Sequence, residues 1–258
     1  YVLLVGCFFP QYGSLVFLGL YLLGIIFAIL TARLLRRFWF KEDETPFVME
    51  LPPYRIPTAK ATIRNMWSKA KQYIQKMGGL ILVASVIIWA LSYFPRHTHE
   101  SLLNSDVAAQ YEQAVNQEAF LNEYQQEHSY LGKIGKLTEP LVEPLGFDWK
   151  VSVSLLAGSA AKEVVVSTLG VLYTGQDDEV LLSQKLKANN PLTGKPNFTA
   201  ISALAFLVFV LIYFPCIATI AAIVRETGSW LYGVFSIVYN TGLAWLLAFA
   251  IYQIGNML

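Results

Sequence analysis

An all-α fold, a polytopic bundle of membrane-spanning helices, is predicted by three observations. The chain is 258 residues long with 55% apolar and only 14% charged residues, and its apolar residues fall into long runs separated by short charged stretches. One run, residues 198–224, is 27 residues without a charge, about 40 Å as a helix against a hydrocarbon core of about 30 Å. The charges also segregate: residues 33–76 hold ten Lys/Arg against four Asp/Glu, and residues 96–150 hold four against nine. The positive-inside rule then puts the first stretch in the cytoplasm and the second outside. Two special features are expected within the bundle, a broken helix of the gate type and an interfacial amphipathic helix.

Taken in order, residues 1–9 are apolar but too short to span, and Pro10-Gln11-Tyr12-Gly13 turns the chain at once. They read as the stub of a helix begun upstream, and residues 15–35 as the first span, so that 1–35 form one unit. Residues 36–76 form a cytoplasmic connector. Pro46, Pro52, Pro53 and Pro57 preclude a regular helix in its first part. In its second part Ile63, Met66, Trp67, Ala70, Tyr73 and Ile74 recur at helical spacing, with Lys60, Arg64, Lys69, Lys71 and Lys76 elsewhere around the wheel. That pattern suits a helix lying on the membrane surface, as an anchor or as a lever moved by a cytoplasmic domain. A second span follows at 77–94. Residues 96–150 make an acidic outer loop in which Ser105 is placed to cap a helix from Asp106 to about Glu127. His97, His99 and His128 lie in this loop near carboxylates, as a candidate metal-capture group or simply as solvated loop residues. Gly146-Phe147-Asp148-Trp149-Lys150 reads as a partly buried turn back into the bilayer. Residues 151–258 then supply three spans, at 151–173, 198–224 and 230–254, with 174–197 and the C-terminus cytoplasmic.

The chemistry concentrates in two of these spans. Pro215 has no amide hydrogen, so the carbonyl of Leu211 loses its helical partner, and in lipid such a group must be satisfied by protein, water or an ion. Cys216 adjoins the break, and a thiol beside a freed carbonyl is a ligand pair for a soft or borderline metal ion. A packing thiol is the alternative there, and is the reading for Cys7. With two cysteines and no CxxC spacing, no disulfide framework is expected. Lys162 and Glu163 stand mid-span, where each charge costs about 2.5–3.5 kcal/mol on insertion scales. Adjacent residues point about 100° apart on a helix and pair poorly, so each needs a partner elsewhere, in an ion path or a structural contact. Arg225-Glu226 marks the outer boundary, as an anchor or, if the break draws the helix inward, with Glu226 at a vestibule. No phosphate-cradling GxxxxGK[ST] or GxGxxG motif is present, and nucleic acid is not expected as a partner. An intramembrane cysteine hydrolase is disfavoured, because the three histidines all lie in the outer loop, away from Cys216.

The Pro46 to Pro57 connector, the Gly158-Ser-Ala-Ala-Lys162-Glu163 segment with Ser167-Thr168-Leu169-Gly170, the Glu139-Pro-Leu stretch and Tyr213-Phe-Pro215-Cys216-Ile-Ala-Thr219 together resemble the C-terminal membrane half of the bacterial ferrous iron transport protein B family. The resemblance covers nearly the whole chain. It implies an Fe²⁺ importer of the bacterial inner membrane in which this chain is the second of two gates and not itself an enzyme. A first gate and a GTP-binding domain, using GTP and Mg²⁺, would lie upstream. Small cytoplasmic accessory proteins of iron uptake, membrane lipid and further copies of the protein are the implied partners. On this reading Cys216, the Leu211 carbonyl, Glu163 and Thr219 line the ion path. Lys162, Pro215, Arg225 and Glu226 serve gating or structural charge, and Glu50, Tyr54 and Arg55 couple the connector to the cytoplasmic domain. A carrier of nucleosides or other small solutes with a related gate segment, and a membrane scaffold that transports nothing, are the alternatives.

Overall fold

The computed structural model describes residues 1–38, 57–103, 117–159, 161–162, 164–174, 179–188 and 196–257. The roles expected of Glu50, Tyr54, Arg55 and Glu163, and the start of the helix expected from Asp106, lie outside the described residues.

The apolar residues 1–9 form the short helix α1 (Val2–Phe8), and the first long apolar helix is α2 (Gly13–Phe38). Of α2 only Leu20 is buried, while Tyr21, Leu22, Ile25, Ile26 and Ile29 are exposed, which is the surface a helix presents to lipid rather than to water. Arg36 and Arg37 close its last turn, where positive charge complements the helix dipole. Helix α3 (Ala59–Tyr93) is 35 residues long, so the basic amphipathic stretch and the span after it are one continuous helix of about 52 Å. The boundary expected at residue 76 is not a break. Gly78 and Gly79 weaken a helix there but, unlike proline, leave its hydrogen bonds intact.

After α4 (His99–Leu103) and α5 (Gln117–His128) comes α6 (Tyr130–Val142), which Ser129 caps by accepting from the Gly132 N–H at 3.0 Å. A 3₁₀ turn (Glu143–Leu145) ends on Gly146 at φ 76°, where any side chain would be strained by the backbone and would run into the Tyr252 ring.

The stretch 151–173, expected as one crossing, is instead two short helices that fold back on each other. Asp148 caps α7 (Trp149–Ala157), its Oδ1 accepting from the Val151 N–H at 3.0 Å. At the far end of α8 (Val164–Thr174), the Tyr173 hydroxyl donates to Asp148 Oδ2 at 2.7 Å. The first and last residues of the segment thus meet, and the arms, 9 and 11 residues, reach only about 14 and 17 Å, half a hydrocarbon core. Gly158 at the end of α7 and the polar Ser159 and Lys162 beyond it favour a turn over a continuous apolar helix.

Helix α6, 13 residues and about 20 Å long, runs from the end of α3 to the hairpin base. Its start is tied to the end of α3 by the Tyr130 N–H on the Phe94 carbonyl at 2.9 Å, and its last turn meets the hairpin base where the Trp149 N–H reaches Glu139 Oε1 at 3.3 Å. Residues 143–148 therefore lie at the other end of α6 from Phe94, beside the hairpin base. The Gln253 amide donates to the Pro144 carbonyl at 3.2 Å, which brings the end of the last helix to the hairpin base as well.

Helix α9 (Glu179–Lys187) packs on α8 through buried Leu182 and Leu186. The chain returns along it, with the Phe198 N–H on the Leu186 carbonyl at 2.9 Å. Thr199 and Ser202 form a reciprocal capping box for α10 (Ala200–Ile212). From Ala203 to Val210 nearly every α10 residue is buried, which makes α10 the central post of the bundle. Helix α11 (Ile217–Thr227) continues it beyond the break expected at Pro215, and α12 (Trp230–Met257) packs along α10, where fully buried Ala244 and Ala248 let the two helices approach closely. Among the described residues three stretches are long and apolar enough to cross a membrane: Gly13–Phe38, Ala200–Thr227 with its break, and Trp230–Met257. The other two expected spans appear as shorter apolar helices, Leu82–Tyr93 and Val164–Thr174.

Candidate functional site

The tip of the α7–α8 hairpin meets the break between α10 and α11. Pro215 cannot donate to Leu211, and α10 stops at Ile212, with the Tyr213 N–H making its last bond, to Phe209 at 2.8 Å. The chain is extended through Tyr213 and resumes helix after Cys216, the N-cap of α11. Across this gap the Ile217 N–H donates to the Ser159 carbonyl at the hairpin tip, 3.1 Å away. One broken element thus satisfies a backbone donor that the other leaves open, as membrane interiors require.

Four half-helix ends converge here. The C-terminal ends of α7 and α10 carry partial negative charge and the N-terminal ends of α8 and α11 partial positive charge. Such an array of free carbonyls and helix ends around discontinuous helices is the usual setting of ion and substrate sites in transporters. Lys162 was expected to need a partner elsewhere and has one: its ammonium donates to the Val210 carbonyl at 3.1 Å and sits 4.6 Å from the centre of the Tyr213 ring. Val210 lies in the last turn of α10, where Phe214 is no longer placed to donate to it. The cation thus takes a carbonyl, a helix C-terminus and an aromatic face.

Cys216 is partly exposed, and its Sγ lies 3.3 Å from the hydroxyl of exposed Thr219 in the first turn of α11. The dipole of α11 favours a negative ligand at that position. Leu211 is partly buried, with its side chain toward Gly24 of α2. Arg225 and Glu226 are exposed near the far end of α11, away from the break, and the one ion pair among the described residues joins Lys136 to Glu127 instead. Cys7 is buried against the Ser183 carbonyl, in keeping with a packing role. The outer-loop histidines are only partly gathered: the His97 and His128 rings lie 5.8 Å apart with Tyr124 stacked on His128. Among the described residues no group of three His, Cys, Asp or Glu side chains is arranged to hold a metal ion.

Two residues that sequence reasoning passed over shape the crossing. Tyr213 is buried, yet its hydroxyl has no hydrogen-bond partner among the described residues and points toward Gly158. Gly158 itself has no room for a side chain, because a Cβ would meet Val165 and the Tyr213 hydroxyl. Cavities of about 260 and 430 Å³ flank the tip, the first lined by Ser85, Ser92, Gln126, Ser167 and Thr168 toward α3, the second by Lys162, Val166 and Val210 toward α1.

Known proteins are similar to this chain. The family described as "Nucleoside recognition" matches residues 74–230, and the family described as "Ferrous iron transport protein B C terminus" matches residues 17–69. The chain is 50% identical, over 99% of its length, to the "Fe(2+) transport protein A/Fe(2+) transporter FeoB fusion protein" of Porphyromonas gingivalis, covering 32% of that protein. It is 40% identical over its full length to the Fe(2+) transporter FeoB of Campylobacter jejuni and 37% identical to that of Staphylococcus aureus, covering 39% and 34% of them. It therefore spans about a third of the length of the curated relatives it matches. No solved structure matches it. The chain belongs to the ferrous iron transport protein B family and corresponds to its C-terminal membrane part.

Proposed function

We propose that this chain is the membrane pore part of a GTP-regulated Fe²⁺ importer in the bacterial inner membrane, and that the ion passes where the hairpin tip crosses the α10–α11 break. The observation that carries the proposal is this crossing, in which Cys216, the carbonyl-rich end of α10 and the Lys162 ammonium converge. Cys216 supplies a thiolate, which favours late divalent ions over Mg²⁺ and Ca²⁺. The Leu211 carbonyl and Thr219 hydroxyl add weaker oxygen ligands, and Glu163 a carboxylate, so that binding stays loose enough for release. Pro215 keeps the break open, and Arg225 and Glu226 mark the mouth.

In orientation, the basic connector, the hairpin base, residues 174–197 and the C-terminus face the cytoplasm, and the loop after α3 faces outward. Glu50, Tyr54 and Arg55 couple the connector to a GTP- and Mg²⁺-dependent domain upstream, and the first gate lies between that domain and this chain. A small accessory protein is a natural partner, given that one relative is a fusion of an Fe(2+) transport protein A with the transporter. Further copies of the protein complete the assembly.

The nucleoside-recognition family match favours a second reading, a small-solute carrier. Uptake by the full-length protein in vesicles separates the two. The iron reading expects Fe²⁺ flux that thiol reagents block and that nucleosides do not compete; nucleoside flux independent of metal would replace it with the alternative.

A further inference from the structure

We propose that Lys162 is a tethered competitor of the transported ion: its ammonium holds the cation position at the end of α10 when the site is empty, and the arriving divalent cation displaces it. The inference rests on the Fe²⁺ reading of the same crossing. The groups that hold the Lys162 ammonium are ones that bind cations in general. The Val210 carbonyl accepts from it at 3.1 Å, the Tyr213 ring face lies 4.6 Å away, and the α10 C-terminus adds its negative dipole end. No carboxylate among the described residues pairs with it, and the groups that hold it are those of a cation site. The Tyr213 hydroxyl, buried and unpartnered beside the same tip, is a further oxygen that an ion could recruit once the ammonium has swung away.

Lys162 lines the 430 Å³ cavity beside Val165, Val166 and Phe206, which leaves its flexible four-carbon stem space to withdraw. Displacement has two consequences of opposite sign. The ion must compete with the ammonium to enter, which weakens binding. The ammonium returns as the ion leaves, which prevents the empty carbonyls from holding the ion back and so speeds release. Lys162 is thus a positioning and release residue that does not ligate the ion.

The test compares wild type with Lys162→Met, which keeps length but removes charge, Lys162→Gln, which keeps a neutral donor, and Lys162→Arg, which keeps the cation. Equilibrium binding of radioactive Fe²⁺, held reduced, is measured on the full-length protein in lipid nanodiscs, together with uptake kinetics in vesicles. Removing the competitor is expected to tighten Fe²⁺ binding about tenfold, with KM and maximal rate both falling, whereas Lys162→Arg stays near wild type. Unchanged or weaker binding in the neutral variants overturns the proposal, and Lys162→Gln decides alone if Lys162→Met does not fold. A wild-type protein that binds no Fe²⁺ would instead overturn the iron reading, and this inference with it.

Discussion

Gly158→Ala isolates the fit of the crossing in a single methyl group. Gly158 has φ −63° and ψ −8°, a conformation alanine adopts freely, so the backbone poses no obstacle and helix propensity alone would favour alanine by about 1 kcal/mol. Space decides otherwise. The added Cβ would overlap a Val165 methyl and stand 2.8 Å from the Tyr213 hydroxyl oxygen and 3.3 Å from the Ser154 carbonyl. Val165 is branched, stiff at χ1 and only 1% exposed, and Tyr213 is 2% exposed, so neither side chain can swing clear and the hairpin tip itself must move. Overpacking of this kind costs about 1–3 kcal/mol. Set against the propensity gain, the net loss is up to about 2 kcal/mol, a fall in Tm of up to about 8 °C at about 2–4 °C per kcal/mol. Because the displaced atoms adjoin Lys162 and the Ser159–Ile217 contact, transport should fall more than stability. Gly19→Ala in α2 is the control: nothing lies within 4 Å of its Cβ position, and stability should hold or rise slightly. Thermal unfolding and Fe²⁺ uptake of both variants decide the matter. Equal Tm and equal uptake for Gly158→Ala would refute the close crossing.

Two more predictions concern the periphery. The proposed orientation puts the hairpin base in the cytoplasm and the loop after α3 outside, so a membrane-impermeant thiol reagent should label Glu118→Cys only from outside and Glu143→Cys only from the cytoplasm; labelling of both from one side would overturn that orientation. Burial, then the charges of His128 and Lys133, lower the pKa of His97 below its ordinary 6.5. A depressed histidine pKa stabilises the fold only while the ring is neutral, so this contribution is complete above pH 6.5 and is lost as pH falls through the lowered value. His97→Phe should therefore flatten the decline in Tm below pH 6.5, and an unaltered pH profile would contradict the assignment.

The break at Pro215 was legible because it has a local cause: a residue without an amide hydrogen ends α10 wherever it stands. The lipid-facing character of α2 was equally local, written in its apolar run. The hairpin was less so, since residues 151–173 are long and apolar enough for one span; Gly158, Ser159 and Lys162 favour a turn, but the pairing that joins its two ends, Tyr173 with Asp148, spans 25 residues. For Lys162 the need for a partner followed from its cost in lipid, but the partner is a carbonyl 48 residues away, and no local pattern names Val210. Tyr213 stood inside a noted motif without being singled out. Its conspicuous position, with a buried hydroxyl at the end of a broken helix, emerges only from the three-dimensional contact with Gly158.

The claim that the crossing is an ion path is tested most directly by Fe²⁺ uptake through the full-length protein carrying Cys216→Ala, normalised to folded protein in the membrane. Outer-shell partners of a metal are worth about 10–100-fold in affinity, so loss of a ligand should lower uptake at least about tenfold. Cys216→Ser should retain only part of it, and Glu163→Gln should reduce it as well. A packing thiol would cost about 1 kcal/mol or less and leave transport near normal. Wild-type uptake by both Cys216→Ala and Glu163→Gln would contradict the account and return the crossing to a purely structural role.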